Sequence, residues 1–111
     1  MSDISQTDFA AARQHGRIQV VDVREDGEFA SGHVPGAVSI PMGQLTNRLA
    51  EIDQTQPVYV ICASGGRSAV TSDVLVQRGF DAYSVVGGTR AWTKTGQPVH
   101  YDTNTSITRG R

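Results

Sequence analysis

Apolar runs rich in β-branched residues recur at 18–23, 38–40, 58–61 and 82–86, each bounded by polar residues, proline or glycine. Short runs closed by turn signals predict strands buried on both faces, as in a parallel sheet. The segments between them carry helical signals. Ser5 or Thr7 is placed to cap a short helix holding Phe9, Ala10, Ala12 and Arg13, which His15-Gly16 ends. Residues 28–30 predict one helical turn. Leu45, Leu49 and Ile52 recur at helical spacing and predict an amphipathic helix over 43–51, followed by a connector over 53–57. A further helix over 69–78 is expected to turn Val70, Val74 and Leu75 inward and Asp73, Gln77 and Arg78 outward, with Gly79 as its stop. Gly87-Gly88 then opens a last helix through Ala91, Trp92 and Lys94, which ends at Gly96-Gln97-Pro98.

Strands alternating with helices predict a small three-layer α/β domain with a largely parallel sheet flanked by helices. In such sheets the chemistry sits at the carboxyl ends of the strands. Asp22 and Arg24 close one strand and Cys62 closes another, so the three are expected on one rim. A chain of 111 residues suffices for one compact domain. The domain is placed at 1–100, and the polar stretch 101–111, without apolar periodicity, is expected to be mobile or to lie along the surface.

Composition narrows the function. Net charge is -1 and no basic cluster or aromatic-basic stripe is present, which argues against nucleic acid and anionic membranes. The start lacks a basic, then apolar, leader and no segment is long enough to span a bilayer, so a cytoplasmic location is expected. One cysteine and three histidines give neither an internal disulfide nor a convincing zinc site, and no metal or other cofactor is implied. Any oxidised or sulfur-loaded Cys62 must therefore be discharged from outside. The acidic residues from Asp22 to Glu28 do not have calcium-loop spacing and read as a solvated loop. His33, inside the Gly/Pro-rich turn 32–37, is expected to hold that turn through its ring nitrogens rather than act as an acid or base. Trp92 is expected to anchor the core.

The chemistry concentrates in Cys62-Ala63-Ser64-Gly65-Gly66-Arg67-Ser68. A strand that stops at a cysteine, turns through two glycines and enters a helix sets the sulfur over the helix N-terminus. There the unpaired amides of loop and first turn favour negative charge. A lone cysteine is often an inert buried hydrophobe. Gly65, Gly66 and Arg67 point instead to a reactive thiolate, since close-approaching amides and a fixed positive charge both lower a thiol's pKa.

Three ordered motifs resemble the rhodanese domain, nearly end to end. Val21-Asp22-Val23-Arg24 with Glu28-Phe29 and 32–37 is similar to its first signature, 62–68 to its active-site loop, and Gly87-Gly88 with Ala91-Trp92 and 96–98 to its closing motif. The resemblance implies a five-stranded parallel sheet and a single-domain sulfurtransferase carrying sulfane sulfur as a persulfide on Cys62. Its donor would be thiosulfate or another persulfide donor, and its acceptor cyanide, a small thiol or a thioredoxin-like protein thiol. Ala63, Ser64, Gly65, Gly66, Arg67 and Ser68 would bind the anionic sulfur. Asp22 and Arg24 would brace this cradle. Arg67 would attract the donor or serve as a structural ion pair. Phosphatases and arsenate reductases of related fold use a loop one residue longer. Here four residues separate Cys62 from Arg67, a ring suited to one added sulfur atom. The alternative in another class is a non-enzymatic docking or sulfur-relay module.

Overall fold

A computed structural model describes residues 2–16 and 18–101 of the chain. Most of the polar tail expected to be mobile, 102–111, lies outside the described residues.

Five strands form one sheet in the order β1-β5-β4-β2-β3, and every neighbouring pair is parallel. The strands are β1 (Asp3–Ile4), β2 (Gln19–Asp22), β3 (Val38–Ser39), β4 (Val58–Ile61) and β5 (Ala82–Val85). Parallel neighbours need crossovers, which here contain α1 (Gln6–His15), α2 (Asp26–Ala30), two 3₁₀ turns, and α3 (Gly66–Gln77). Helix α4 (Gly88–Lys94) follows the last strand.

Because successive strand side chains point to opposite faces, the core divides in two. Val21, Val58, Val60 and Ala82 pack on one side with Leu45, Ile52, Leu75 and Phe80. Val20, Ile61 and Val85 pack on the other with Phe9 of α1 and Trp92 of α4. This gives the three layers that the strand and helix alternation implies. Trp92 is the core anchor expected of it. It is 1% exposed, meets Phe9 edge to face and donates its indole N-H to the Pro98 carbonyl at 2.7 Å.

Three elements differ from the sequence expectation. β1 carries no apolar run. It exists because Ser84 of β5 and Val86, just beyond that strand, donate their amides to the carbonyls of Ser2 and Ile4. The expected helix over 43–51 is instead a pair of 3₁₀ turns, Met42–Asn47 and Leu49–Glu51. Gly43, Thr46 and Asn47 are poor helix formers, and Arg48, at φ -124°, leaves helical geometry between the turns. Leu45 and Ile52 are buried all the same. In α3, Val70 points to solvent at 53% exposure and the buried face is Ser68, Thr71, Ser72 and Leu75. Ser68 is held beneath the sulfur of Cys62, and that contact sets the rotation of the helix against its hydrophobicity.

His33 behaves as a turn holder. It is stacked on Phe29 at 3.7 Å, its Nδ1 lies 2.8 Å from the Phe29 carbonyl, and its backbone pairs with His100.

Candidate active site

β4 delivers its last residue, Ile61, to the carboxyl rim, and Cys62 begins the turn into α3. The loop backbone is tied to α4. The Thr89 amide donates to the Cys62 carbonyl at 2.8 Å and the Arg90 amide to the Ala63 carbonyl at 2.9 Å. On the opposite side Val23 donates to the Ile61 carbonyl at 3.0 Å, so the end of β2 flanks the turn.

Gly65, at φ 116°, turns the chain so that its own N-H meets the Cys62 Sγ at 3.1 Å. The Ser68 amide reaches the same sulfur at 3.4 Å, and the Ser68 hydroxyl lies 3.6 Å away. Burial pushes the Cys62 thiol up. The hydroxyl and amide of Ser68, with the amides of Gly65 and Ser64, overcome that effect and bring the thiol below its ordinary value of 9.0. These donors favour the thiolate form of Cys62. Cys62 itself is only 1% exposed, while Ser64 and Gly66 above it are open to solvent.

Sequence reasoning missed a residue behind the sulfur. Ser84, 2% exposed on β5, lies 2.8 Å from the Ser68 hydroxyl. When Ser84 donates to Ser68, the Ser68 proton has two acceptors to choose between, the Gly65 carbonyl at 3.1 Å and a Cys62 thiolate, whose charge draws it. A serine on the core-facing side of an otherwise apolar strand was the available signal. Ser68→Ala is expected to slow iodoacetamide labelling of Cys62 below pH 8 by roughly tenfold, the scale of a hydrogen bond to a charged group. Ser84→Ala should act in the same direction with a smaller effect. Wild-type labelling rates in both variants would show that the hydroxyls do not act on the sulfur.

The flanking charges are paired. Asp22, fully buried, receives the Arg24 Nε at 2.9 Å and Nη2 at 2.8 Å, and the same Nη2 donates to the Gly32 carbonyl at 2.8 Å. This pair ties the end of β2 to the 32–37 turn. Arg67 makes a two-pronged ion pair with Glu28 at 2.8 and 2.9 Å. The solvated loop expected of the acidic residues that lead into the 28–30 turn does not form as such: Asp22 and Arg24 are buried, and Glu28 joins α2 to the first turn of α3. Its other contact closes a capping box with the Glu25 amide.

The Arg67 hydrogen bond, helped by the Glu25 amide and opposed by burial, lowers the Glu28 carboxyl from 4.5 to about 2. Its folded value lies below its unfolded one, so the pair's stabilisation is complete above pH 4.5 and disappears as pH falls toward 2. Both side chains are more than a third exposed, and solvent screening limits the contribution to about 0.5–1 kcal/mol. Glu28→Gln should cost that amount at pH 7 and little at pH 2 in urea unfolding. An equal loss at both would mean that the carboxylate charge is not what stabilises.

Among the described residues, no cluster of three or more histidine, cysteine or acidic side chains is arranged to hold a metal. No helix among them is long and apolar enough to cross a membrane.

Fold and site together define an α/β domain that presents a single cysteine, its sulfur met by backbone amides of the loop, at the carboxyl rim of a parallel sheet. Residues 5–95 match the family model of the Rhodanese-like domain, and the chain belongs to that family. "Putative sulfur carrier protein YrkF" of Bacillus subtilis is 38% identical over 77 residues, a match covering 68% of this chain and 42% of that protein. The chain thus spans less than half of YrkF. "Putative sulfurtransferase YtwF" of the same organism is 37% identical, with 73% of this chain and 79% of that protein covered. Among solved structures, a rhodanese-related protein from Thermoplasma volcanium superposes with a TM-score of 0.85 at 29% identity, over 92% of this chain and all of the other.

Proposed function

We propose that the chain is a sulfurtransferase that carries sulfane sulfur as a persulfide on Cys62. The observation that carries this reading is the Cys62 sulfur itself, met by the amides of Gly65 and Ser68 and lowered in pKa. The Cys62 thiolate attacks the outer sulfur of thiosulfate. The thiosulfate S–S bond breaks and sulfite leaves with its electron pair. The acceptor, cyanide or a thiolate, then attacks the outer sulfur of the persulfide and expels the Cys62 thiolate. Both half-reactions keep negative charge on sulfur, and the loop amides from Ala63 through Ser68 are the donors that stabilise it.

Cys62 is almost fully covered, and the exposed residues Ser64 and Gly66 of its loop mark the side from which reagents approach. The persulfide then places its outer sulfur about 2 Å further along this path. Asp22 and Arg24 brace the rim. Arg67, held by Glu28, braces the far end of the loop. The names of YrkF, a putative sulfur carrier, and YtwF, a putative sulfurtransferase, are consistent with sulfur transfer.

Intact-mass measurement after incubation with thiosulfate tests the proposal. A gain of one sulfur atom, removed by cyanide or a thiol, is the expected result. An unchanged mass overturns it. Hydrolysis of p-nitrophenyl phosphate, in contrast, would favour the phosphatase alternative.

A further inference from the structure

A cleft of about 570 Å³ opens beside the cysteine loop, between α2 and α4. Ala63 forms part of its wall, so it is continuous with the loop that covers the sulfur. Its other walls include Arg24, Glu28, Thr89, Arg90 and Lys94. Arg24 is committed to Asp22 and Glu28 to Arg67. Arg90 and Lys94, four residues apart on α4, have no ion-pair partner among the described residues. Thr89 is 5% exposed and its hydroxyl, buried without a hydrogen-bond partner, bears the cost of an unsatisfied polar group.

A volume of this order suits a small organic molecule, whereas thiosulfate or cyanide would occupy a corner of it. Unpaired cations on its wall favour an anionic ligand. We infer that the cleft binds the acid-bearing end, carboxylate or phosphate, of a low-molecular-weight thiol acceptor. Arg90 and Lys94 neutralise that end, the Thr89 hydroxyl gains a partner, and the thiol is directed past Ala63 toward the Cys62 persulfide. Transfer is balanced: the acceptor thiolate bonds to the outer sulfur, the S–S bond to Cys62 breaks, Cys62 leaves as thiolate and the acceptor departs as a persulfide anion. The inference rests on the sulfur-transfer reading for its chemistry, but binding can be measured without transfer.

Unreactive S-methylmercaptosuccinate, S-methyl-2-thioethyl phosphate and S-methyl-2-mercaptoethanol are titrated into the protein, with the amides of Thr89, Arg90, Thr93 and Lys94 followed by NMR. Either acid probe should bind more tightly than the neutral one, and the tighter of the two identifies carboxylate or phosphate. In the double variant Arg90→Ala/Lys94→Ala, acid-probe affinity should fall roughly tenfold, the combined effect of two partly screened charges. Equal binding of the neutral probe, or unchanged affinity in the variant, overturns the inference. With the sulfur-loaded protein, the ratio of discharge rates for mercaptosuccinate over 2-mercaptoethanol should fall by a similar factor in the variant. If the probes bind as expected and Cys62 takes up no sulfur, the subsite stands and the transfer reading fails. If Cys62 loads and the ratio does not respond, the subsite fails alone.

Discussion

Cys62→Ser is expected to keep the fold and lose sulfur loading from thiosulfate to the level of the uncatalysed reaction. The hydroxyl is smaller and occupies the same cradle, where the Gly65 and Ser68 amides now meet at the wild-type sulfur. Those donors therefore retain an acceptor, and the cost to stability should stay within about 1–2 kcal/mol. Chemistry has no such substitute. A serine hydroxyl is far less acidic than a thiol, forms no persulfide, and the chain contains no other cysteine to take over the role. Thiocyanate formation from thiosulfate and cyanide, together with circular dichroism, separates the two effects. Turnover at the wild-type level in a folded variant would place the reacting group elsewhere.

Gly88→Ala should be among the most damaging single-methyl additions in the molecule. Gly88 adopts φ +61°, and a Cβ built there stands 2.5 Å from the Cys62 carbonyl oxygen and 2.6 Å from that of Ala63. These are backbone atoms of the Cys62 loop, with no flexible side chain to yield. The displacement must be taken up where the Thr89 and Arg90 amides hold the same two carbonyls. Left-handed strain and two weakened buried hydrogen bonds together predict a loss of about 2–4 kcal/mol in urea unfolding. Iodoacetamide labelling of Cys62 below pH 8 should slow as the loop shifts. Wild-type stability in this variant would mean that α4 does not clamp the loop.

The loop 62–68 was legible because its chemistry is local. A glycine pair following a strand-terminal cysteine is a property of adjacent residues, and the amides it aims at the sulfur come from within the same turn. The support for that loop was less legible, because it comes from far along the chain. Glu28 reaches Arg67 across 39 positions, and Ser84 reaches Ser68 across 16. Neither contact has a spacing rule. The phase of α3 misled for a related reason: hydrophobicity favours burying Val70, while the hydrogen-bonded Ser68 turns a hydroxyl-lined face to the core.

By itself the sequence determined the alternation of strands and helices, the place of Cys62 at a strand end and the short ring that follows it. Each depends on the order of neighbouring residues and on backbone freedom within a turn. Only tertiary structure decided that Arg67 is held by Glu28, that two buried serines stand in line behind the sulfur, that Ser2 and Ile4 complete the sheet, and that α4 grips the loop while walling a cationic cleft. Such contacts join segments that meet only after the chain has collapsed, when buried polar groups must find partners and geometry selects which ones.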